Sequence, residues 1–396
     1  LRGVHIPPII RYTPAMTTMS KEGSGALRLI LESGVRRHAS DIMIVPNEKP
    51  QMRVAGELVE LDSEIVPAAS CKALIYSILS TEQIAVLEDR HSLDCSYTIA
   101  DVSRFRLNVF HQTQGVVAVF RVISTSIPTV RELGLSPAIA NVANLPRGLV
   151  LVTGPTGCGK STTLAAIIDS INETQRKHIV TLEDPIEFVY KNKLSIINQR
   201  EIGVHTPSFA QGLKDALRQN PDVILIGEMR DIETISLAVT AAETGHLCFG
   251  TLHTQDAPST VDRIINVFPA DQQAEIRTQL AMVLVTIVSQ VLVPRKGGGR
   301  VCAREVMLST TAISSLIRES KIHQLYGEIE AGTKIGMFSL DQNLLSLYRA
   351  GLIEFDEALA KAHSPSNLKI LLNMDKVEKA DPKRDSFGDI LQKKLW

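Results

Sequence analysis

At 396 residues the chain has length for two or three domains, and its 44% hydrophobic and 21% charged content is that of a globular protein. Its 42 basic side chains are matched by 43 acidic ones, so it lacks the basic surplus of a dedicated nucleic-acid binder, and no nucleic-acid partner is expected. Five scattered cysteines contain no C-x-x-C pair, which argues against a disulfide framework or zinc site and fits a cytoplasmic protein, and no apolar run reaches the roughly 18 residues of a transmembrane segment.

Residues 1–25 lack the apolar core of a signal peptide and are expected to form a flexible extension. Leu27, Ile30, Leu31 and Val35 have helical spacing. Strand-like runs follow at 42–45, 51–54 and 57–61, punctuated by Asn47 and Gly56. A helical pair is expected at 71–79 and 81–87, then strands at 95–99, 104–110 and 116–122. Together they predict a small α+β domain over 26–121. Residues 122–135, with Pro128 and Gly134, read as a linker. From 136 to 372 apolar strands at 149–153, 179–182, 223–226 and 248–251 alternate with helices, the pattern of a parallel sheet with crossover helices. Residues 281–293 read as a core helix running into a strand. Gly297-Gly298-Gly299 marks a hairpin between 288–293 and 301–307. A helical part follows from about residue 312, and 373–396 form a densely charged tail.

The strongest chemical signal is Gly154-Pro155-Thr156-Gly157-Cys158-Gly159-Lys160-Ser161, a full match to G-x-x-x-x-G-K-[ST]. An apolar strand, GLVLVT, precedes it, and Thr162 continues into a helical run. In such a loop glycines let backbone N–H groups turn toward phosphate oxygens, and the helix N-terminus adds its positive dipole end. Lys160 then serves the β- and γ-phosphates of ATP, and the Ser161 hydroxyl serves Mg²⁺.

Four further patches lie where such an ATP site needs them. Glu183 and Asp184 end an apolar strand stopped by Pro185; carboxylates there can orient water or organise Mg²⁺, or merely cap a helix. The run Asp222-Val223-Ile224-Leu225-Ile226-Gly227-Glu228 is an apolar strand ending in an acid, the pattern of a magnesium-serving carboxylate. His246 and His253 flank a short strand and are candidates to sense the γ-phosphate, although a single His is more often structural. Arg104, Arg106 and Asn108 share one face of an alternating strand, with Arg121 at the end of the next; they form either a solvated surface or a phosphate clamp.

Taken together, these segments resemble the secretion ATPase superfamily and, within it, the PilT-like retraction ATPases of type IV pili. GPTGCGKSTTLAAIID is similar to that family's phosphate loop, TLEDPIEF to its Asp box, RQNPDVILIGEMRD to its Walker B segment and AAETGHLCFGTLHT to its His box. The resemblance covers about residues 26–372. It implies a RecA-like parallel-sheet ATPase domain preceded by a smaller PAS-like domain. It also implies Glu183 as the catalytic glutamate, Glu228 as the Walker B acid, and the N-terminal arginines as ligands of nucleotide between subunits. The family works as a cytoplasmic homo-hexamer docked on an inner-membrane pilus platform protein and powers twitching motility. This chain departs from relatives at Met43, where they carry His, and at Ser314, where many carry Arg. Alternatives are a paralogous retraction or secretion-system ATPase, and a nucleotide-dependent regulatory scaffold.

Overall fold

The computed structural model describes residues 21–370, apart from 55, 101, 124 and 125. The charged tail expected at 373–396 lies outside the described residues, as does most of the expected N-terminal extension. Helix already begins at Lys21, within the span read as extension. The chain divides into two compact units at residue 124.

The first unit runs α1 (Lys21–Arg36), β1 (Asp41–Ile44), β2 (Gln51–Val54), β3 (Glu57–Glu60), α2 (Ala68–Tyr76), α3 (Thr81–Arg90), β4 (Ser92–Ile99), β5 (Ser103–Gln112) and β6 (Gly115–Ile123). Its sheet has the order β3-β2-β1-β6-β5-β4 with every pair antiparallel. An antiparallel sheet can leave one face wet, and the alternation on β5 shows it: Phe105, Leu107 and Val109 are buried while Arg104, Arg106 and Asn108 are half-exposed. Leu27 and Leu31 of α1, Cys71 and Ile75 of α2 and Leu87 of α3 close over the apolar face. The residue pattern therefore specifies which side of β5 carries its arginines.

The second unit contains α4 (Pro137–Ala140), β7 (Gly148–Thr153), α5 (Lys160–Thr174), β8 (His178–Glu183), β9 (Ile196–Glu201), α6 (Phe209–Ala216), β10 (Val223–Ile226), α7 (Ile232–Glu243), β11 (Leu247–Leu252), α8 (Ala257–Asn266), α9 (Gln273–Val283), β12 (Leu284–Pro294), β13 (Arg300–Leu308), α10 (Thr311–Arg318), α11 (Leu325–Ala331), α12 (Leu340–Arg349) and α13 (Phe355–Lys361). Its sheet has the order β13-β12-β7-β11-β10-β8-β9, parallel except for the β12–β13 hairpin. Strands β7, β10 and β11 are buried at every position, because helices cover both faces. Leu149, Leu151, Ile224 and Ile226 meet α7, α8 and α9 on one side. Val150, Val152, Leu225 and Phe249 meet Leu164, Ile167, Ile168 and Ile171 of α5 on the other. Helix α9 runs directly into β12, as its sequence predicts.

Two features differ from the sequence expectation. Strand β6 continues to Ile123, and Val130, Leu133 and Leu135 pack into the α5-side core, so much of the expected linker at 122–135 is built into structure. Strand β9 was missed. It is an edge strand reading IINQRE, exposed along part of its length, and so lacks the apolar run that betrays the central strands. Among the described residues, no helix is long and apolar enough to cross a membrane.

Candidate active site

In a parallel sheet all strand C-termini share one edge, and a ligand binds where neighbouring crossovers diverge. Here β7 leads to the phosphate loop, β8 to Glu183, β10 to Glu228 and β11 to His253. The loop needs its glycines. Gly154, Gly157 and Gly159 have φ of +135°, +76° and +93°. A Cβ at Gly154 would fall 2.2 Å from the Gln290 carbonyl oxygen, so no larger residue fits. Lys160 Nζ donates to the carbonyls of Gly154 (2.8 Å) and Pro155 (3.2 Å), which keeps the ammonium at the loop. Cys158 turns inward; its thiol is buried, and burial pushes its pKa up, so this residue offers backbone rather than sulfur chemistry. The buried Gln290 of β12 braces the loop from the next strand. Its Nε2 donates to the Cys158 carbonyl (2.9 Å), and its Oε1 accepts from Thr163 Oγ1 (3.0 Å).

Glu228 stands between Arg230 and His253. Arg230 Nε pairs with its Oε1, and His253 Nε2 lies 2.9 Å from the same oxygen. The other ring nitrogen, Nδ1, is 3.5 Å from the hydroxyl of Thr156 in the phosphate loop. His253 thus links the carboxylate to the loop. Thr251 Oγ1 donates to the Gly227 carbonyl and ties β11 to the turn that carries Glu228.

Glu183 has a different setting. It is 8% exposed at the end of β8. Its Oε1 accepts from Thr181 Oγ1 (2.6 Å) and from Gln199 Nε2 (3.0 Å). Burial pushes its pKa up, the two donors pull it down, and the nearby Glu187 charge adds to the rise. The backbone at Glu183 lies against Gly227, where an added Cβ would come 3.2 Å from the Glu183 Cα. Glu183 and Glu228 therefore sit at the tips of adjacent strands.

His246 does not join this group. It precedes β11, whose first residue Leu247 pairs with Gly148 at the start of β7, whereas Leu252 pairs with Thr153 at the loop end. The strand's length therefore separates His246 from the phosphate loop of its own chain, and its Nδ1 contacts the Ala241 carbonyl at 2.9 Å. The γ-phosphate role anticipated for it is corrected accordingly; the strand that brings His253 to the loop carries His246 away. The three arginines belong to the first unit. Arg106 and Arg121 are cross-strand neighbours, with Arg106 paired to Asp94 (2.6 Å) and Arg121 to Asp41 (3.0 Å). The sequence assigned no role to Arg230, Gln290, Thr181 or Gln199. Thr181 and Arg230 lie within the TLEDPIEF and RQNPDVILIGEMRD segments, whereas Gln290 and Gln199 come to the site only through strand pairing.

The donor set suits Mg-ATP. Ser161 and Glu228 are oxygen donors, as a hard cation requires, and Mg²⁺ takes few protein ligands because it retains water and phosphate oxygens. Among the described residues no group of three or more His, Cys, Asp or Glu could hold a metal by itself.

A family model described as Type II/IV secretion system protein matches residues 24–335. The chain is 46% identical over 338 residues to the type IV pilus retraction ATPase PilT of Pseudomonas aeruginosa, covering 85% of this chain and 98% of that protein. It is 46% identical over 320 residues to a twitching motility protein of Neisseria gonorrhoeae, covering 81% and 86% respectively. A crystal structure of the pilus retraction motor PilT with bound ADP superposes with a TM-score of 0.81 at 43% identity, covering 86% of this chain and 98% of that one. The chain therefore belongs to the type II/IV secretion system proteins and is an ATPase of the PilT-like retraction group.

Proposed function

We propose that the chain is the Mg-ATP-driven motor of type IV pilus retraction and that it works as a homo-hexameric ring on the cytoplasmic side of an inner-membrane platform protein. The observation that carries this reading is the gathering of a complete phosphate loop, Glu183 and Glu228 at one sheet edge, in a chain that matches a retraction ATPase over nearly that protein's whole length. The loop N–H groups and the α5 N-terminus bind the phosphates, and Lys160 exchanges its carbonyl partners for β- and γ-phosphate oxygens. Ser161 and Glu228 would hold Mg²⁺, which would supply charge neutralisation at the phosphates. Glu183 aligns the attacking water and takes its proton. His253, tied to both Glu228 and Thr156, passes the state of the γ-phosphate to β11. Arg104, Arg106 and Arg121 serve the nucleotide of a neighbouring subunit.

Two measurements test this reading. The purified chain should release phosphate from ATP only with Mg²⁺, at a rate per subunit that rises with protein concentration until rings are complete. Deleting the gene should abolish twitching while surface pili persist. Loss of the pili themselves would assign the chain to extension, and a monomer hydrolysing at the ring's rate would remove the arginines from the mechanism.

A further inference from the structure

The carboxylate of Glu183 is held by two side chains to which the motifs assign no role, Thr181 at the head of TLEDPIEF and Gln199 outside every motif. Thr181 precedes it by two residues on β8 and so projects to the same face; its hydroxyl donates to Oε1 at 2.6 Å. Gln199 lies on β9 in register with Thr181, and its Nε2 donates to the same oxygen at 3.0 Å. Gln199 is itself held: Nε2 also donates to the Phe188 carbonyl (2.8 Å), and Oε1 accepts from the Tyr190 N–H (3.0 Å). Its amide orientation is thereby specified from both ends, one nitrogen giving and one oxygen receiving.

We propose that Thr181 and Gln199 are positioning residues for hydrolysis, which aim the Glu183 carboxylate at the attacking water and keep it ready to receive a proton. The proposal rests on the reading of Glu183 as the base. In the step they serve, the water oxygen bonds to the γ-phosphorus, the bond from that phosphorus to the bridging oxygen breaks with its electron pair leaving on ADP, and the water proton passes to Glu183. Two donors on Oε1 restrict rotation about the carboxylate and leave Oε2 as the oxygen these side chains do not engage.

The same donors oppose burial. Burial favours the neutral acid and the nearby Glu187 charge adds to that, while the Glu187 backbone N–H joins the two side chains in favouring the carboxylate; Glu201 lies in register on β9, Asp184 is next in sequence, and Tyr190 is a phenol kept neutral by its own burial. Glu228, beyond Gly227 on the β10 side, is paired with Arg230. The donors of Thr181 and Gln199 favour the carboxylate, its proton-accepting form, against burial and the Glu187 charge. Removing either favours the protonated acid, which cannot serve as base, so the acid limb of the rate profile moves to higher pH.

The test uses the full-length oligomer and single-turnover ATP hydrolysis as a function of pH, with nucleotide affinity measured in parallel. Thr181→Val keeps the β-branched shape and deletes the hydroxyl; Thr181→Ser keeps the hydroxyl. Thr181→Val should slow turnover about tenfold or more with unchanged nucleotide affinity, and the loss should shrink as pH is raised. Thr181→Ser should retain the parent profile. Gln199→Leu provides a second arm if Val is not tolerated on β8, and its acid limb should move the same way. A profile that coincides with the parent's in Thr181→Val and Gln199→Leu overturns the proposal, as does equal loss in the Val and Ser variants. Failure of the underlying reading looks different: Glu183→Gln would then hydrolyse ATP at the parent rate.

Discussion

Glu183 and Glu228 end adjacent parallel strands, yet their surroundings divide them. Glu183 is buried and engaged by neutral donors, with burial pushing its pKa up. Glu228 is set between Arg230 and His253 and touches the phosphate loop through the histidine. A carboxylate under neutral donors with a raised pKa suits proton acceptance. One set between a guanidinium and an imidazole suits charge pairing. The two settings follow from neighbours, Thr181 and Gln199 for one and Arg230 and His253 for the other, not from the residue type, which is the same at both positions.

The largest expected effect comes from making Glu183 neutral. Glu183→Gln keeps shape and removes the base, so single-turnover hydrolysis should fall about 10²–10⁴-fold while nucleotide affinity holds. Near-normal turnover would transfer the base to Glu228 and collapse the comparison. Glu228→Gln should act through the metal. Turnover should fall roughly tenfold to a hundredfold at low Mg²⁺ and recover in part at high Mg²⁺, so the midpoint of a Mg²⁺ titration moves up. An unmoved midpoint would take Glu228 out of the magnesium shell.

A third acid sharpens the contrast by lying outside the site. Glu305 of β13 is 1% exposed, accepts from the first N–H of α8 (Ala257, 2.8 Å), and is pushed up to about 7 chiefly by burial. The folded state therefore holds this proton more tightly than the unfolded chain. Its stability contribution is present below the ordinary carboxylate range and is lost as pH rises to about 7. Glu305→Gln should raise stability relative to the parent on the order of 2–3 kcal/mol at about pH 8, with little gain at about pH 4. Denaturant midpoints at the two pH values measure it, and a pH-independent difference would contradict the burial argument. The smallest effect is expected at Arg230, whose side chain is 70% exposed. Arg230→Ala releases Glu228 from an exposed pair and should lower the Mg²⁺ midpoint only about two- to threefold. A rise would make Arg230 part of the nucleotide site.

Much of the second unit was legible because its constraints are local. A phosphate loop needs glycine at positive φ and a lysine at the helix start, and both are written in consecutive residues. Strands β7, β10 and β11 are buried on both faces, and only continuous apolar runs can build them. The alternation of β5 assigned its arginines to the wet face for the same kind of reason, since side chains reverse at every residue. Edge strand β9 escaped because a strand with one neighbour and an exposed face carries no such run. With it went Gln199, whose value lies wholly in being across from Thr181.

Residue type and spacing alone thus determined that this chain folds around a phosphate loop, and they singled out the two acids that the structure sets at the same sheet edge. The tertiary structure decided which acid is buried under neutral donors and which is set between Arg230 and His253. It also decided that of the two histidines flanking β11 only His253 reaches the loop, because parallel strands carry their C-terminal ends to one edge and their N-terminal ends to the other. A linear chain records order along a strand, whereas burial and pairing depend on which strands become neighbours in the sheet, and β7, β11, β10 and β8 are neighbours in an order the chain does not follow.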